Sequence, residues 1–230
     1  MVSVVELVSV DRGRIPLAAV TLARAMLDEP SGRWVLPDPD EFLEVYEQIF
    51  VRTMLRAMDE GRVDAWGDTF AGVAVWLERP AIGEESPKSQ PTSVPPTIVP
   101  EHAAGRVEEF GRLLQLMRRL ARPDRHIYLD SIGVLPHYRR EGAATGLLAA
   151  GFAWADTLGL PCSLDTLDSD NVAFYRRRGF EVVASKPLPG SDLTFTSMRR
   201  WPESDGWPGE SDHNASWSPD QRDSDSFHDR

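Results

Sequence analysis

The segment best equipped for chemistry runs Tyr128-Leu129-Asp130-Ser131-Ile132-Gly133-Val134-Leu135-Pro136-His137-Tyr138-Arg139-Arg140-Glu141-Gly142-Ala143-Ala144. Its first half is apolar and β-branched and reads as a strand that Pro136 stops. Its second half is basic and small, and it leads into an Ala/Leu-rich helix. Small residues let the backbone approach a ligand closely, and the first turn of a helix offers unpaired N–H groups at a positive dipole end. The stretch Arg139 to Ala144 therefore reads as a pyrophosphate cradle, with the guanidiniums of Arg139 and Arg140 as phosphate partners. The spacing Arg139-x-x-Gly142-x-Ala144 has neither the Lys-Ser/Thr of a P-loop nor the three glycines of a dinucleotide fingerprint. A second stretch, Asp168 to Phe180, holds Asn171 and Tyr175 four residues apart, which puts both on one helix face.

These two stretches resemble the GNAT superfamily of N-acetyltransferases. The resemblance rests on Val134-Leu135-Pro136 followed by Arg139-x-x-Gly142-x-Ala144, and on Asn171, Phe174-Tyr175 and Gly179-Phe180. It implies an α/β (α+β) fold with a mixed, twisted, mostly antiparallel sheet, flanked by helices and split by a splayed central strand pair. It implies acetyl-CoA as acyl donor and no metal. Ile132, Gly133 and Val134 would face the pantetheine arm, and Arg139, Arg140, Glu141, Gly142, Ala143 and Ala144 would form the cradle. Asn171 would touch the cofactor, and Tyr175 would lie near the sulfur, able to protonate the leaving thiolate. Within the superfamily, Gly72 to Leu77, the strand ending at Val134 and the closing Met198-Arg199-Arg200 look most like puromycin N-acetyltransferase-like proteins, a likeness covering roughly Pro16 to Arg200. The acceptor so implied is a primary amine of a small molecule, antibiotic-like in kind. A peptide or protein amine, and a non-catalytic acyl-CoA sensor, are the alternatives.

Direct transfer needs a base for the amine proton and an acid for the thiolate. Tyr175 is the expected acid. No residue identifies itself as base; Asp130 and Asp165 are the candidates, each on an expected strand beside the binding half. The N–H of Val134 is the expected donor to the carbonyl oxygen. Cys162 reads as a packed thiol. The run Arg176-Arg177-Arg178 reads as a solvated helix end, with contact to the adenosine 3′-phosphate as its alternative; Trp34, Phe50, Trp66 and Trp76 read as core, with an acceptor-pocket lining as the alternative, and Asp156 as surface.

The surrounding elements follow from pattern. A strand is expected over Val2–Val10 and a helix over Pro16–Leu27. A stronger helix starts at Asp38-Pro39-Asp40-Glu41, with apolar residues from Phe42 to Met54 at helical spacing. A hairpin follows at Arg62–Leu77, a helix at Glu101–Arg122, strands at His126–Val134 and Pro161–Thr166, and helices at Gly142–Leu158 and Asp170–Arg178. Two paired strands close the pattern, at Glu181–Ser185 and Leu193–Arg199. Between Arg79 and Pro100 six prolines argue for an inserted loop. Residues 1–200 read as one catalytic domain and 201–230 as an acidic, disordered tail carrying −6 of the net charge of −11. That charge excludes a general nucleic-acid surface. A single cysteine excludes an internal disulfide, and the longest apolar run, Leu147–Ala155, is too short to span a bilayer. A cytoplasmic protein is expected.

Overall fold

The computed structural model describes residues 6–84, 97–121, 124–188 and 191–202. In chain order these form β1 (Leu7–Ser9), α1 (Ile15–Ala25), α2 (Pro30–Val35), α3 (Pro39–Glu60), β2 (Gly61–Trp66), β3 (Gly72–Arg79), α4 (Glu101–Ala121), β4 (His126–Val134), α5 (Ala143–Leu158), β5 (Cys162–Thr166), α6 (Ser169–Arg176), β6 (Glu181–Pro187) and β7 (Thr194–Arg200). The seven strands make one sheet in the order β1-β2-β3-β4-β5-β7-β6. Every neighbouring pair is antiparallel except β4 and β5, which run parallel. The expected mixed, mostly antiparallel sheet flanked by helices is the fold observed.

Side-chain alternation sorts the two faces. Val73, Val75 and Leu77 point to a core shared with α1 and α3, while Ala74 and Trp76 point to a second core under α5. The α5 face is built by close approach. A Cβ on Gly151 would stand 2.1 Å from Trp76 Cε2, and one on Gly146 would stand 2.3 Å from Trp66 Cζ3. Glycine at those two positions lets the helix lie directly on the indoles, so Trp66 and Trp76 belong to the core rather than to a ligand pocket.

Helix starts follow the local chemistry. Asp38 caps α3 by accepting from the N–H groups of Asp40 and Glu41, with Pro39 in the first turn. The same device occurs one element earlier, just past the helix expected over Pro16–Leu27. Pro30 opens the short α2, and Glu29 caps it by accepting from the N–H groups of Ser31 and Gly32. Proline ends a preceding helix but also suits the first turn of a new one, and Glu is an uncommon cap. At the other edge, β7 lies between β5 and β6, so the closing pair continues the sheet from β5. The expected proline-rich loop is described only at 79–84 and 97–100; residues 85–96 and the tail beyond Pro202 lie outside the described residues. Among the described residues, no helix is long and apolar enough to cross a membrane.

Candidate active site

The site begins where β4 leaves β5. The two strands pair at Ile127–Cys162, Tyr128–Ser163 and Leu129–Leu164, and their recorded pairing ends there. On its other side β4 pairs with β3, and the register jumps: Val75 faces Ser131 whereas Trp76 faces Leu129. Asp130 is the extra residue, a β-bulge that bends the strand and resets its alternation. Ile127 and Leu129 before it, and Ile132 and Val134 after it, all face the α5 core. Bulge and divergence coincide, so the strand turns away from β5 at the candidate base.

Beyond the bulge, one edge of β4 stays bound to β3. The N–H of Leu135 donates to Ala71 O. Strand alternation then turns the N–H and C=O of Val134 toward the opening. Gly133 lies against α1, where a Cβ would stand 2.7 Å from Ala25 Cβ and 2.9 Å from Leu22 Cδ1.

The loop after β4 makes a short 3-10 turn at Pro136–Tyr138, and α5 starts at Ala143. Gly142 precedes it at φ 90° and Arg140 has φ 69°, both in the left-handed region. No side chain caps α5, and a Cβ on Gly142 would meet nothing within 4 Å. The start of the helix is thus uncapped and open, which suits an anionic group. Arg139, expected on a phosphate, turns elsewhere: Nε donates to Val134 O at 3.2 Å and Nη2 to Ala25 O at 3.1 Å. It ties the end of β4 to the end of α1. Arg140, Gly142, Ala143 and Ala144 line the same cavity as Arg139, whereas Glu141 is exposed and outside the lining.

That cavity, about 980 Å³, brings Ile132, Gly133, Val134, Asp130, Asp165, Asn171 and Tyr175 together. Asp165 Oδ2 accepts from the Tyr128 hydroxyl at 3.0 Å and Oδ1 from Ser197 Oγ at 2.8 Å. Asp130 Oδ2 accepts from Ser131 Oγ at 3.0 Å, and Oδ1 lies 3.9 Å from Arg79 Nη2. Asn171 donates to Asp168 Oδ2 at 3.2 Å. Tyr175 is buried between Phe174 and Phe180, and burial pushes its hydroxyl well above the ordinary tyrosine range; Arg178 opposes that push, while Asp168 and Glu29 add to it. The hydroxyl therefore keeps its proton at neutral pH.

Arg178, Glu29 and Tyr46 are among the lining residues that the sequence does not mark. Arg178, read as solvated, lines the cavity. Its Nη1 donates to Phe174 O and its Nη2 to Thr145 Oγ1, both at 2.8 Å, and its guanidinium stacks 3.5 Å over the Phe174 ring. It bridges α6 to the first turn of α5. Glu29 and Tyr46 stand on the other side, on the start of α2 and on α3. None of the three is one of the motif residues that carry the resemblance, and the fold alone brings them to one cavity. Asp156, read as surface, binds Arg200 through both oxygens, at 2.9 and 3.1 Å, because Arg200 is buried at the end of β7 and needs a counter-charge. Cys162 is buried, and burial pushes its thiol up to about 12. Among the described residues no cluster of three or more His, Cys, Asp or Glu could hold a metal ion.

A family model described as the Acetyltransferase (GNAT) family matches residues 98–180, the stretch holding α4, β4, α5, β5 and α6. The fold is shared with solved acetyltransferase structures at low identity. The histone acetyltransferase HPA2 and related acetyltransferase of Corynebacterium glutamicum superposes with a TM-score of 0.59 at 18% identity, over 87% of this chain and 97% of that one. Arylalkylamine N-acetyltransferase 2 of Aedes aegypti gives 0.58 at 13%, over 86% and 99%. An agmatine N-acetyltransferase gives 0.52 at 14%, over 86% and 99%.

Proposed function

We propose, from the GNAT family match and the GNAT fold, that this chain is an acetyl-CoA-dependent N-acetyltransferase that acetylates the primary amine of a small molecule by direct attack. The observation that carries the reading is the parting of β4 from β5 at the Asp130 bulge. It opens a strand edge that leads to an uncapped helix start, with Tyr175 and Asp165 lining the same space. A CoA-like donor fits that arrangement: a strand edge for its amide-bearing arm and open helix N–H groups for its pyrophosphate.

Acetyl-CoA supplies a thioester whose carbonyl carbon takes the amine nitrogen and whose C–S bond breaks. The residues manage the protons and the charge. Asp130 or Asp165 draws the ammonium and accepts its proton, through water where the carboxylate stands too far. The Val134 N–H, turned to the opening, donates to the carbonyl oxygen as it gains charge. Tyr175, held protonated by burial, gives its proton to the departing thiolate. Asn171 and the loop Arg139–Ala144 hold the donor. Residues 1–200 form the catalytic unit in this reading, and the reaction belongs in the cytoplasm. The resemblance to puromycin N-acetyltransferase-like proteins supports a small-molecule acceptor.

The test is direct. Purified protein, acetyl-CoA and a panel of amines should yield free thiol together with a product heavier by about 42 Da, the mass of an acetyl group replacing hydrogen. Binding of acetyl-CoA without thiol release on any amine would favour a sensor. Acetylation confined to peptide amino groups would move the acceptor to the protein class.

A further inference from the structure

The cavity is chemically two-sided. Toward α5 and α6 it is lined by Arg139, Arg140 and Arg178. The lining contributed by residues 25–114 contains no Lys or Arg at all. On that side Phe42 and Tyr46 stack with centroids 4.0 Å apart and planes 13° from parallel, and Ile49, Phe110 and Leu114 continue the apolar wall. Asp28 lines this side too and accepts from Arg33 Nη1 at 3.3 Å, whereas Glu29 is the carboxylate fixed by backbone hydrogen bonds. Glu29 Oε2 accepts from the N–H of Ser31 at 2.9 Å and of Gly32 at 3.1 Å, and from Ser31 Oγ. Those bonds hold the side chain in place and leave Oε1 outside the capping set. Glu29, Tyr46 and Tyr175 line the one cavity, and the charge of Glu29 bears on both hydroxyls.

We infer that the acceptor is an arylalkylamine-type primary amine, its ammonium held by Glu29 and its flat apolar body against Tyr46 and Phe110; this rests on the transferase reading above. A fixed carboxylate beside a largely apolar wall suits a cation attached to an apolar group. A polyamine or an aminoglycoside would bury hydroxyls and ammonium groups against Ile49, Phe110 and Leu114, whose side chains cannot compensate their lost hydration. Flat rings pack on Tyr46 and Phe110 with little loss of freedom.

The experiment compares 2-phenylethylamine and tryptamine with putrescine, agmatine and an aminoglycoside, using the full chain and acetyl-CoA. The aromatic amines should show kcat/KM at least tenfold above the others. Glu29→Gln, whose amide oxygen can still cap α2, should raise KM for the aromatic amines about tenfold with a smaller change in kcat. Phe110→Ala should erase most of the aromatic preference. A preference for the hydrophilic amines, or an unchanged KM in Glu29→Gln, would overturn the inference and leave the transferase reading standing. If no amine is acetylated, the transferase reading falls, and calorimetric binding of 2-phenylethylamine to the CoA-loaded protein decides the inference separately. Binding that weakens tenfold in Glu29→Gln supports it, and absence of binding overturns it.

Discussion

The Tyr128 hydroxyl donates to Asp165 Oδ2 across 3.0 Å, next to the last backbone pair that holds β4 to β5. The bond places a carboxylate on the rim of the opening from the β5 side. Ser197, one strand further on, takes the other oxygen at 2.8 Å. Two hydroxyl donors from two different strands therefore fix Asp165 in position. Asp130, on the bulge, is held by its own neighbour Ser131 and by Arg79 at 3.9 Å. A base acts from a fixed position, so Asp165 is the stronger of the two candidates. Asp165→Asn should lower kcat about 100-fold, within the range a positioned acid or base contributes. Asp130→Asn should change it less than about fivefold, an allowance for a carboxylate that only attracts the amine. The pH–rate profile checks the assignment: Asp165→Asn should lose the acid limb and Asp130→Asn should keep it. The reverse pattern would transfer the role to Asp130.

Tyr175 divides a chemical role from a packing role. Its ring packs against Phe174 and Phe180, and Phe in its place would keep those contacts. Tyr175→Phe should leave the melting temperature and acetyl-CoA affinity nearly unchanged while lowering kcat on the order of 100-fold, the usual contribution of a general acid. Donors with a more acidic leaving thiol should regain much of the loss, because they need less protonation. A variant with normal kcat would reduce the residue to core packing.

What the sequence made legible was local. Asp38 capping α3, Pro136 ending β4 and Gly159 ending α5 are signals spoken by neighbours a few residues apart, and each marks the element it should. The loop from Arg139 to Ala144, which lines the cavity apart from Glu141, is likewise a local pattern. Glu29 was missed because its function as a cap competes with the stop signal of Pro30 beside it. The Asp130 bulge was invisible because it is defined by register with β3, more than fifty positions earlier in the chain. The side chain of Arg139 went astray for a related reason: its partners are the carbonyl of Val134, on the same loop, and that of Ala25, far upstream. A guanidinium next to a cradle satisfies whichever acceptors the fold brings near, and the spacing of the motif does not contain Ala25. Arg178 shows the opposite case, a residue in a basic run that folds back onto Phe174 and Thr145.

The contact between α5 and the sheet gives a stability prediction independent of function. Gly151 stands where a Cβ would lie 2.1 Å from both Cε2 and Cζ2 of Trp76, and Trp76 is fully buried. The indole cannot move without displacing the core under α5. Ala is the better helix former by about 1 kcal/mol, yet overpacking costs typically 1–3 kcal/mol and more where the neighbour is immobile. Gly151→Ala should therefore lower stability by about 2 kcal/mol net, read as an earlier urea midpoint. Gly105→Ala, at a helix position where a Cβ would meet nothing within 4 Å, should leave the midpoint unchanged or raise it. Equal midpoints for the two variants would mean that α5 can lift from the tryptophans without cost.

The pair Asp124–Arg199 should make stability fall in acid. Arg199 is buried at the end of β7, and both of its terminal nitrogens donate to the two oxygens of Asp124. Burial alone would raise the Asp124 carboxyl, but the hydrogen bond and charge of Arg199 outweigh it and hold the group below the ordinary carboxylate value of 3.8. The sign follows from linkage. A carboxyl that binds its proton less readily when folded favours the native state wherever the unfolded chain's carboxyl is ionised, above about pH 4, and that advantage disappears as pH drops through the folded value. Half of the Asp124 side chain is exposed, so solvent moderates the effect. Denaturation midpoints measured from pH 6 down to pH 2.5 should show the parent protein losing stability faster than Asp124→Asn below about pH 4, with the two curves converging. Parallel curves across that range would mean that Arg199 draws its compensation from other partners.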